Sequence, residues 1–557
     1  MSAASDPASA AHLVLRHAAS RPEHTALVYP QSWPQPRGYG RLSYGALASR
    51  VAAAAEDLHA RGVIPGDRVV VLVPMSPELY VVLLAVAALG AVAVFVEPAS
   101  TPREIARVVR ATRPKAFVGI AKAHVLRVLD RHVARVPIVV LVGPPLLARA
   151  AGAVALANLE KAGAGAPLPP SAGGPNDPAL LTFSSGSTGT PKGATRSNAF
   201  LAAQHGAIER LVARPDGAED VHMSAFAIVL LSALCAGMTA VIPRMGRGGV
   251  NDVDGAALAA AIDELGVNVV SGSPAFLAPI IDAARRRRRP LSGVRRVVTG
   301  GAPVPVSLCE AVEGVLPGGE LLVVYGSTEA EPIATIEAAS VRAHTAESTR
   351  AGAGLCVGTP DPHIELKLMQ PADGPLQVGP GGIAALEVAD GEVGEVTVTG
   401  DHVNKRYYRN DAAERATKIV DEQGRVWHRT GDAAYRDIHG RLWIVGRTGD
   451  IVTDGERTYH PAAVEAAAQV LSFVDRAALI QSDAGEVVLV VQPVPLRSAG
   501  ALAHRALSTP TSRKQAVRAA LERAGVLVDR VELAPALPVD PRHRAKLDYP
   551  AIRRQFA

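Results

Sequence analysis

Short apolar runs bounded by turn residues alternate with longer helical segments from Leu13 to about Val142. Val69-Val70-Val71-Leu72-Val73, Ala93-Val94-Phe95-Val96 and Ile138-Val139-Val140-Leu141-Val142 are the clearest of these runs. Brief, mostly branched runs of this kind predict buried strands, and their alternation with helices predicts parallel sheets covered by helices. The stretch Leu79 to Val96 carries no charge and reaches the length at which a membrane helix must be considered. Gly90 divides it, so the pattern predicts a buried helix over Glu78 to Leu89 and a buried strand over Ala91 to Val96, ended by Pro98.

Lys161 to Pro178 (KAGAGAPLPPSAGGPNDP) has linker composition. Beyond it the alternation resumes, with strands expected at Thr239 to Pro243, Val267 to Val270, Val297 to Thr299 and Leu321 to Tyr325. The pattern changes near Arg350. Ile364 to Leu368, Gly394 to Val398, Val426 to His428 and Arg441 to Val445 are charged, turn-rich strands that predict a small antiparallel or barrel-like subdomain over about 350–447. A last unit, from about Asp450 to Ala557, mixes helices with short strands such as Val487 to Val494. No internal repeat is evident.

At 557 residues the chain exceeds a single core and predicts several domains. Apolar residues make up 48% and charged residues 20%, an ordinary balance for a globular protein. Only 4% are aromatic, so the cores are expected to be aliphatic. The excess of five positive charges is small. Arg285 to Arg289 stand together before Pro290 without interleaved aromatics, which reads as a solvated helix end rather than a nucleic-acid patch. Three separated cysteines, Cys235, Cys309 and Cys356, form neither a disulfide framework nor a metal spacing and suit a reducing cytoplasm. The first residues lack a long apolar core after a basic segment, so no signal peptide is expected.

The stretch with the most chemistry is Thr182-Phe183-Ser184-Ser185-Gly186-Ser187-Thr188-Gly189-Thr190-Pro191-Lys192-Gly193. Its glycines allow a tight turn and close approach of amide N–H groups to an anion. Its hydroxyls add donors, and Lys192 adds a point charge suited to phosphate. The lysine spacing excludes a Walker A loop. A flexible polar linker is the competing reading, but a linker already lies just upstream, and Pro191-Lys192 breaks the low-complexity pattern.

Other strands also run into candidate turns. Val297 to Thr299 leads to Gly300-Gly301-Ala302-Pro303, and Leu321 to Val324 leads to Tyr325-Gly326-Ser327-Thr328-Glu329. Ligand sites of parallel sheets collect at such carboxyl ends. A hydroxyl beside a carboxylate is a hard-oxygen pair suited to Mg²⁺ on a nucleotide phosphate. Thr430-Gly431-Asp432 offers a turn carboxylate that can accept from a ribose diol, and Arg447 offers a phosphate contact. Lys546 sits in a basic loop, Asp540-Pro541-Arg542-His543-Arg544-Ala545-Lys546.

Taken in order, TFSSGSTGTPKGA, GGAP, YGSTEA, HRTGD, GRLWIVGR and the terminal lysine resemble the adenylate-forming superfamily of acyl-CoA synthetases, nonribosomal adenylation domains and luciferases. The resemblance implies an α/β fold: a large adenylating domain over 1–447, with two helix-covered, mainly parallel sheets and the β-rich subdomain, and a small mobile α+β domain over 448–557. It implies a cytoplasmic ligase that uses ATP and Mg²⁺ to turn a carboxylic acid into an acyl-adenylate and pyrophosphate, then passes the acyl group on. Ser184, Ser185, Gly186, Ser187, Thr188, Gly189 and Lys192 would hold the β- and γ-phosphates, with Thr188 and Glu329 near the metal. Thr328 would meet the α-phosphate, and Gly301, Ala302, Pro303, Tyr325, Gly326 and Ser327 would surround the adenine end. Asp432 would take the ribose, Arg447 would approach phosphate, and Lys546 would bridge the attacking carboxylate and the α-phosphate. Neither a nucleic-acid partner nor a membrane span is expected.

The chain departs from the family at its hinge, where Gly449 replaces an Asp or Lys, and at Gly455-Glu456, where a CoA ligase carries two glycines. Glu456 places a charge where a pantetheine arm would pass, which argues against CoA as acceptor. YGSTEAEPIATI, the KIVDEQGRVWHRTGDAAYRDIHGRLW block and PVDPRHRAKLD are similar to the β-lactone synthetases of bacterial olefin biosynthesis, in which the substrate's own hydroxyl closes the ring. The acyl pocket reads as aliphatic, from Phe226, Ile228, Leu230 and Phe276, with no buried carboxylate to receive an ammonium. A fatty or 3-hydroxy fatty acid is therefore the expected substrate. A fatty-acyl-CoA ligase and a catalytically inactive acyl- or nucleotide-binding protein stand as alternatives.

Overall fold

The structure is a computed structural model that describes residues 9–31, 38–96, 100–162, 173–185, 191–212, 219–246, 248–250, 252–455, 457–494, 509–539 and 546–557. Gly186, Ser187, Thr188 and Gly189 of the phosphate loop, Glu456, and residues 540–545 lie outside the described residues. Ser184 and Ser185 are described as backbone only, at the end of the strand Pro178–Ser185.

Two large sheets dominate. The first runs Val154–Ala155, Ile138–Val142, Ala116–Ile120, Arg68–Leu72, Val92–Phe95, Pro178–Ser185 and Pro191–Ser197 from edge to edge. It is parallel except for the final pair. In the second, the strands Thr25–Gln31, Thr239–Val241, Val221–Ser224, Val269–Gly272, Arg296–Gly300 and Glu320–Ser327 are parallel neighbours. Uncharged Leu79 to Val96 divides as its glycine predicts. Pro77–Ala88 is a helix buried on nearly every face, Gly90 takes a φ of 63°, and Val92–Phe95 is a strand. Among the described residues no helix is long and apolar enough to cross a membrane.

The main core joins both sheets. Val69, Val71 and Ala93 of the first and Leu27, Ala240 and Val269 of the second belong to one buried cluster, with side chains of the helices Tyr44–Ala60 and Pro77–Ala88 among them. Tyr44 is fully buried there and donates to the carbonyls of Leu234 and Met238, both at 2.9 Å, so its hydroxyl carries no unmet polar cost. All three cysteines are buried free thiols. The arginine run falls on the last turn of the helix Pro274–Arg286 and the exposed residues after it. There Arg289 meets Asp263 at 3.1 Å.

From Ala330 onward the second sheet continues antiparallel through Ala330–Glu337, Leu355–Pro360, Leu442–Arg447, Val426–Arg436, Gly394–Gly400 and Ile364–Met369. This part was expected to be barrel-like. Among the described residues its strands do not close into a ring; they extend the large sheet as an open antiparallel wing. The strand Val426–Arg436 also runs well past the expected His428, because Asp432 to Arg436 pair with the strand Leu442–Arg447.

The last unit has its own sheet, Val474–Gln481, Val487–Pro493 and Arg530–Leu533, with two clusters of its own around Leu479 and Ile480. Its helix Pro461–Ala468 packs on the strand Leu442–Arg447. A Cβ at Gly446 would stand 3.1 Å from Pro461 Cδ. Gly449 lies in the short turn Thr448–Asp450, with open space where a side chain would project. Asp450 beside it pairs with Arg553 at 2.8 Å.

Gly193 follows Lys192 on a strand whose partner places the Phe183 ring across it. A Cβ at Gly193 would lie 2.8 Å from that ring. Gly193→Ala is therefore expected to destabilise the protein by about 1–3 kcal/mol through overpacking, read as a fall in melting temperature. An unchanged melting temperature would show that the ring swings aside freely.

Candidate active site

The carboxyl ends of Glu320–Ser327, Arg296–Gly300 and Pro178–Ser185 face one region between the two sheets. Ser327 pairs with Ala330, so Thr328 and Glu329 form the tip of a tight hairpin. Gly326 is required at its base, since a Cβ there would stand 2.9 Å from the Ala330 carbonyl. Four hydrogen bonds link this tip, the segment 403–408 and the strand Pro191–Ser197 of the other sheet. Arg196, 4% exposed, donates to the Thr328 carbonyl at 2.7 Å. Asn404 donates through its amide N–H to the Glu329 carbonyl at 2.6 Å and through Nδ2 to the Thr195 carbonyl at 2.7 Å. Tyr408 N–H reaches the Gly193 carbonyl at 2.7 Å. The segment 403–408 thus stitches the Lys192 strand to the Glu329 hairpin.

On the antiparallel wing, Asp432 sits within a strand, directly opposite Arg447 in register. The expectation of an Asp turn is corrected. Gly431, with a φ of 75°, lies where the pairing with Gly394–Gly400 skips from Arg429 to Ala433, and the strand continues past it. The stretch is anchored by a buried ion pair, Arg429 to Glu395 at 2.6 Å, and Glu395 also accepts from Gly431 N–H at 3.0 Å. Arg447 donates to Asp432 Oδ1 at 2.8 Å and to the Thr430 carbonyl at 3.1 Å. Tyr325 donates its hydroxyl to Asp432 Oδ2 at 2.7 Å. A carboxylate has about four acceptor positions, so Asp432 keeps capacity for a diol. Arg447 is 56% exposed, which leaves part of its guanidinium open to a ligand. Its pKa is raised above the ordinary value, chiefly by Asp432, while burial and then Asp432 push the Tyr325 phenol well up.

Glu329 Oε1 accepts from Tyr407 at 2.9 Å, and Oε2 accepts no hydrogen bond among the described residues. Lys418 donates to the Asn404 carbonyl and lies 5.0 Å from the centre of the Tyr407 ring. Burial pushes its ammonium down to about 7, against the pull of Glu329 and Glu414 and helped by the charge of Lys192. His428 behind it is held neutral by burial and by the Lys418 charge. Lys192, Lys418 and Glu329 therefore form one electrostatic group. Ser327 Oγ is buried without a partner.

Two small, mostly apolar cavities of about 30 and 40 Å³ lie in this part of the fold, and the second is bordered by the hairpin strands through Val324 and Glu331. The larger is walled by Ile208, Leu211, Phe226, Val229, Val298 and Val324, with Ser271, Thr299 and Glu331 as polar members. The other lies past Ile208, toward Ile228 and Leu231. Phe226 lines one of these cavities and Ile228 the other. Leu230 and Phe276 line neither and are corrected to core residues, both fully buried; one faces the inter-sheet helices, and the other packs against Gly272. Gly301, exposed and with a φ of 76°, faces the Phe226 ring. Ala302 and Pro303 follow it at the surface. Lys546 is exposed, and its charge acts on Glu331.

Arg196, Asn404, Tyr407, Lys418 and Glu331 belong to this region and were not singled out from the sequence. Glu331 carried a signal, as a carboxylate two residues after Glu329 on an alternating strand. The other four carried none, because their contacts are long-range: Arg196 reaches Thr328 directly, and the crossing at 403–408 brings in Asn404 and Tyr407 with Lys418 against them.

The AMP-binding enzyme family model covers residues 14–408. The chain belongs to the adenylate-forming, AMP-binding enzymes. It is 33% identical over 514 residues to an olefin beta-lactone synthetase of Stenotrophomonas maltophilia, covering 91% of this chain and 89% of that protein. An olefin beta-lactone synthetase of Xanthomonas campestris pv. campestris matches with the same identity and coverage. A feruloyl-CoA synthase of Amycolatopsis is 30% identical, over 80% of this chain and 82% of its own. Among solved structures, the amide bond synthetase McbA from Marinactinospora thermotolerans shares the fold, with a TM-score of 0.77 and 24% identity over 98% of this chain and 100% of its own. The orphaned Ser327 hydroxyl, the spare acceptor positions of Asp432 and the bare face of Gly301 fit a nucleotide.

Lys418 generates a pH prediction. Its folded pKa, about 7, lies below the unfolded value of about 10.4. Between these limits the unfolded chain holds the extra proton, so stability rises with pH across that window; below pH 7 the cost of burying the charge is fully present. Lys418→Met is expected to flatten the rise in stability between about pH 7 and 10, measured by denaturant unfolding. An unchanged slope would show that Lys418 titrates normally.

Proposed function

We propose that this enzyme converts ATP and a 3-hydroxy fatty acid to an acyl-adenylate and pyrophosphate, then lets the substrate hydroxyl displace AMP to give a β-lactone. The observation that carries the reading is similarity to two olefin beta-lactone synthetases over 91% of the chain, with an apolar cavity that opens beside the Thr328–Glu329 hairpin. Asp432 would receive the ribose diol, and Tyr325 with Gly301 to Pro303 would flank the base. Ser184 to Gly189 and Lys192 would take the β- and γ-phosphates. Thr328 would meet the α-phosphate, and Glu329, with Thr188, would hold Mg²⁺, which neutralises phosphate charge when bound. Lys546 would approach the carboxylate and α-phosphate as charge builds there. Catalysis of this kind is positioning and electrostatic stabilisation, without a protein nucleophile.

A second reading, thioester formation with CoA, is supported by the 30% identity to feruloyl-CoA synthase. Glu456, in place of a glycine, speaks against it from the sequence. Gly449 would serve as the hinge for movement of the 448–557 unit, since its side-chain direction is open and glycine absorbs backbone change.

The enzyme is expected to form lactone and AMP from a 3-hydroxy fatty acid without CoA, followed by mass spectrometry of extracts. A product that appears only with CoA would overturn the lactone reading. Lys546→Ala is expected to lower acid-dependent pyrophosphate exchange by about 100-fold or more, with ATP binding retained; full exchange would remove Lys546 from the site. Tyr407→Phe removes a hydrogen bond to an ionised carboxylate, worth roughly 1.5–3 kcal/mol. It should raise the Mg²⁺ concentration for half-maximal exchange by about tenfold, and an unchanged requirement would separate Glu329 from the metal.

A further inference from the structure

Among the described residues ten large apolar side chains are exposed, and five of them fall together: Val125, Val128, Leu129, Leu146 and Leu147. Apolar side chains scattered singly over a surface need no explanation, but a cluster does. Val128 is 87% exposed, Leu146 79% and Leu129 68%. The fold gains nothing from this placement. The short helices Ala121–His124, Leu126–Leu129 and Arg131–Ala134 bury Ala123, Leu126 and Val133 in the cluster on one face of the first sheet. The helix Pro145–Ala150 buries Ala148 against Leu141 and Ala155, while its two leucines stay exposed. A helix that buries an alanine and exposes two leucines forgoes apolar burial. Arg127 donates to the Ala151 carbonyl at 2.7 Å, which ties the two segments together.

The same stretch is strongly basic. Residues 100–150 hold ten lysines and arginines and two acids, an excess of eight positive charges against five for the whole chain. Both acids are engaged in capping. Glu104 accepts from Thr101 N–H at 2.7 Å, and Asp130 accepts from His132 N–H at 2.7 Å and Val133 N–H at 3.2 Å. Arg103, Lys122, Arg131, Arg135 and Arg149 are exposed and make no ion pair among the described residues. The strands Ala116–Ile120 and Ile138–Val142 run parallel to the strand Pro178–Ser185 in the first sheet. Their carboxyl ends therefore share the edge at which Pro178–Ser185 enters the candidate phosphate loop. Val125 follows soon after Ile120 and Leu146 soon after Val142, so the cluster is rooted at that edge.

We propose that this face is a docking surface for an anionic phospholipid bilayer. Valines and leucines flanked by lysines and arginines suit an interfacial contact: the apolar side chains enter the boundary between headgroups and acyl chains, and the bases meet lipid phosphates. Neither of the two cavities described above is lined by these residues. The face offers projecting side chains rather than a pocket, and a fluid bilayer fits it without shape complementarity. The inference rests on the fatty-acid reading for its purpose, since an apolar acid dissolves in a bilayer; binding to the bilayer stands apart from that reading.

The test is co-sedimentation of the full chain, without substrate, with vesicles of phosphatidylcholine alone or mixed with equal parts of phosphatidylglycerol. The enzyme is expected to prefer the mixed vesicles about tenfold or more, and to be released by salt that screens exposed charge. Val128→Asp with Leu146→Asp removes the apolar contact, and Lys122→Glu with Arg149→Glu reverses the charge. Each pair is expected to lower partition onto mixed vesicles about tenfold. Ile438→Asp, at a site 96% exposed but outside the cluster, should leave it unchanged. All the substituted positions are exposed, so melting temperatures should match wild type. No preference of the wild type for anionic vesicles, or binding that survives both double variants, overturns the inference. An oligomer in gel filtration that the double variants dissolve, without vesicle binding, assigns the face to a second copy and also overturns it. Vesicle binding by an enzyme that forms no lactone upholds the surface and removes the proposed function.

Discussion

The site depends on a crossing of buried hydrogen bonds between two sheets. Arg196 leaves the strand after Lys192 and holds the Thr328 carbonyl, while Asn404 holds both the Glu329 and Thr195 carbonyls. Together they set the distance between the lysine strand of one sheet and the hairpin tip of the other. Neither sheet alone presents both Lys192 and Glu329. A buried arginine is tolerated because its donors meet a carbonyl and an amide oxygen and because Glu329 and Glu331 oppose its desolvation.

Charges around this crossing are graded. At one end the Asp432–Arg447–Tyr325 triad is hydrogen-bonded, with part of the arginine exposed. In the middle, Glu329, Lys192 and Lys418 act on one another, and burial leaves Lys418 poised near neutrality. At the other end Glu331 looks into an apolar cavity. Under the proposed function, a polyanion, a metal-bridged phosphate and an acyl chain would meet these regions in turn.

Much of this was legible in the sequence. Apolar periodicity gives the strands because a parallel strand is buried on both faces and must be short and branched, as Val69 to Val73 shows. Gly90 was readable as a break because the helix before it needs a left-handed residue to end. The candidate phosphate turns stand out in the sequence because glycine and hydroxyl spacing carries such chemistry locally. What sequence could not show is long-range. Arg196 joins the site only by reaching across to Thr328, and Asn404, Tyr407 and Lys418 only when the 403–408 segment crosses to the other sheet. Leu230 and Phe276 have the composition of a pocket wall but face the core, and no local pattern separates the two. Asp432 was expected in a turn because Thr-Gly-Asp is turn-like, yet cross-strand pairing with Arg447 carries the strand through. The barrel-like closure failed for a related reason: the antiparallel strands pair onward from the large sheet, and Ile364–Met369 ends it as an edge strand instead of pairing back.

The central claim is that one cleft holds nucleotide and acyl chain end to end, and a crystal structure with a non-hydrolysable 3-hydroxyacyl-sulfamoyl-adenosine tests it most directly. The account predicts the ribose diol on Asp432, the sulfamoyl group beside Thr328 and the acyl chain in the cavity walled by Phe226, Val298 and Glu331. A ribose bound away from Asp432, or an acyl chain directed to solvent with that cavity empty, would contradict it.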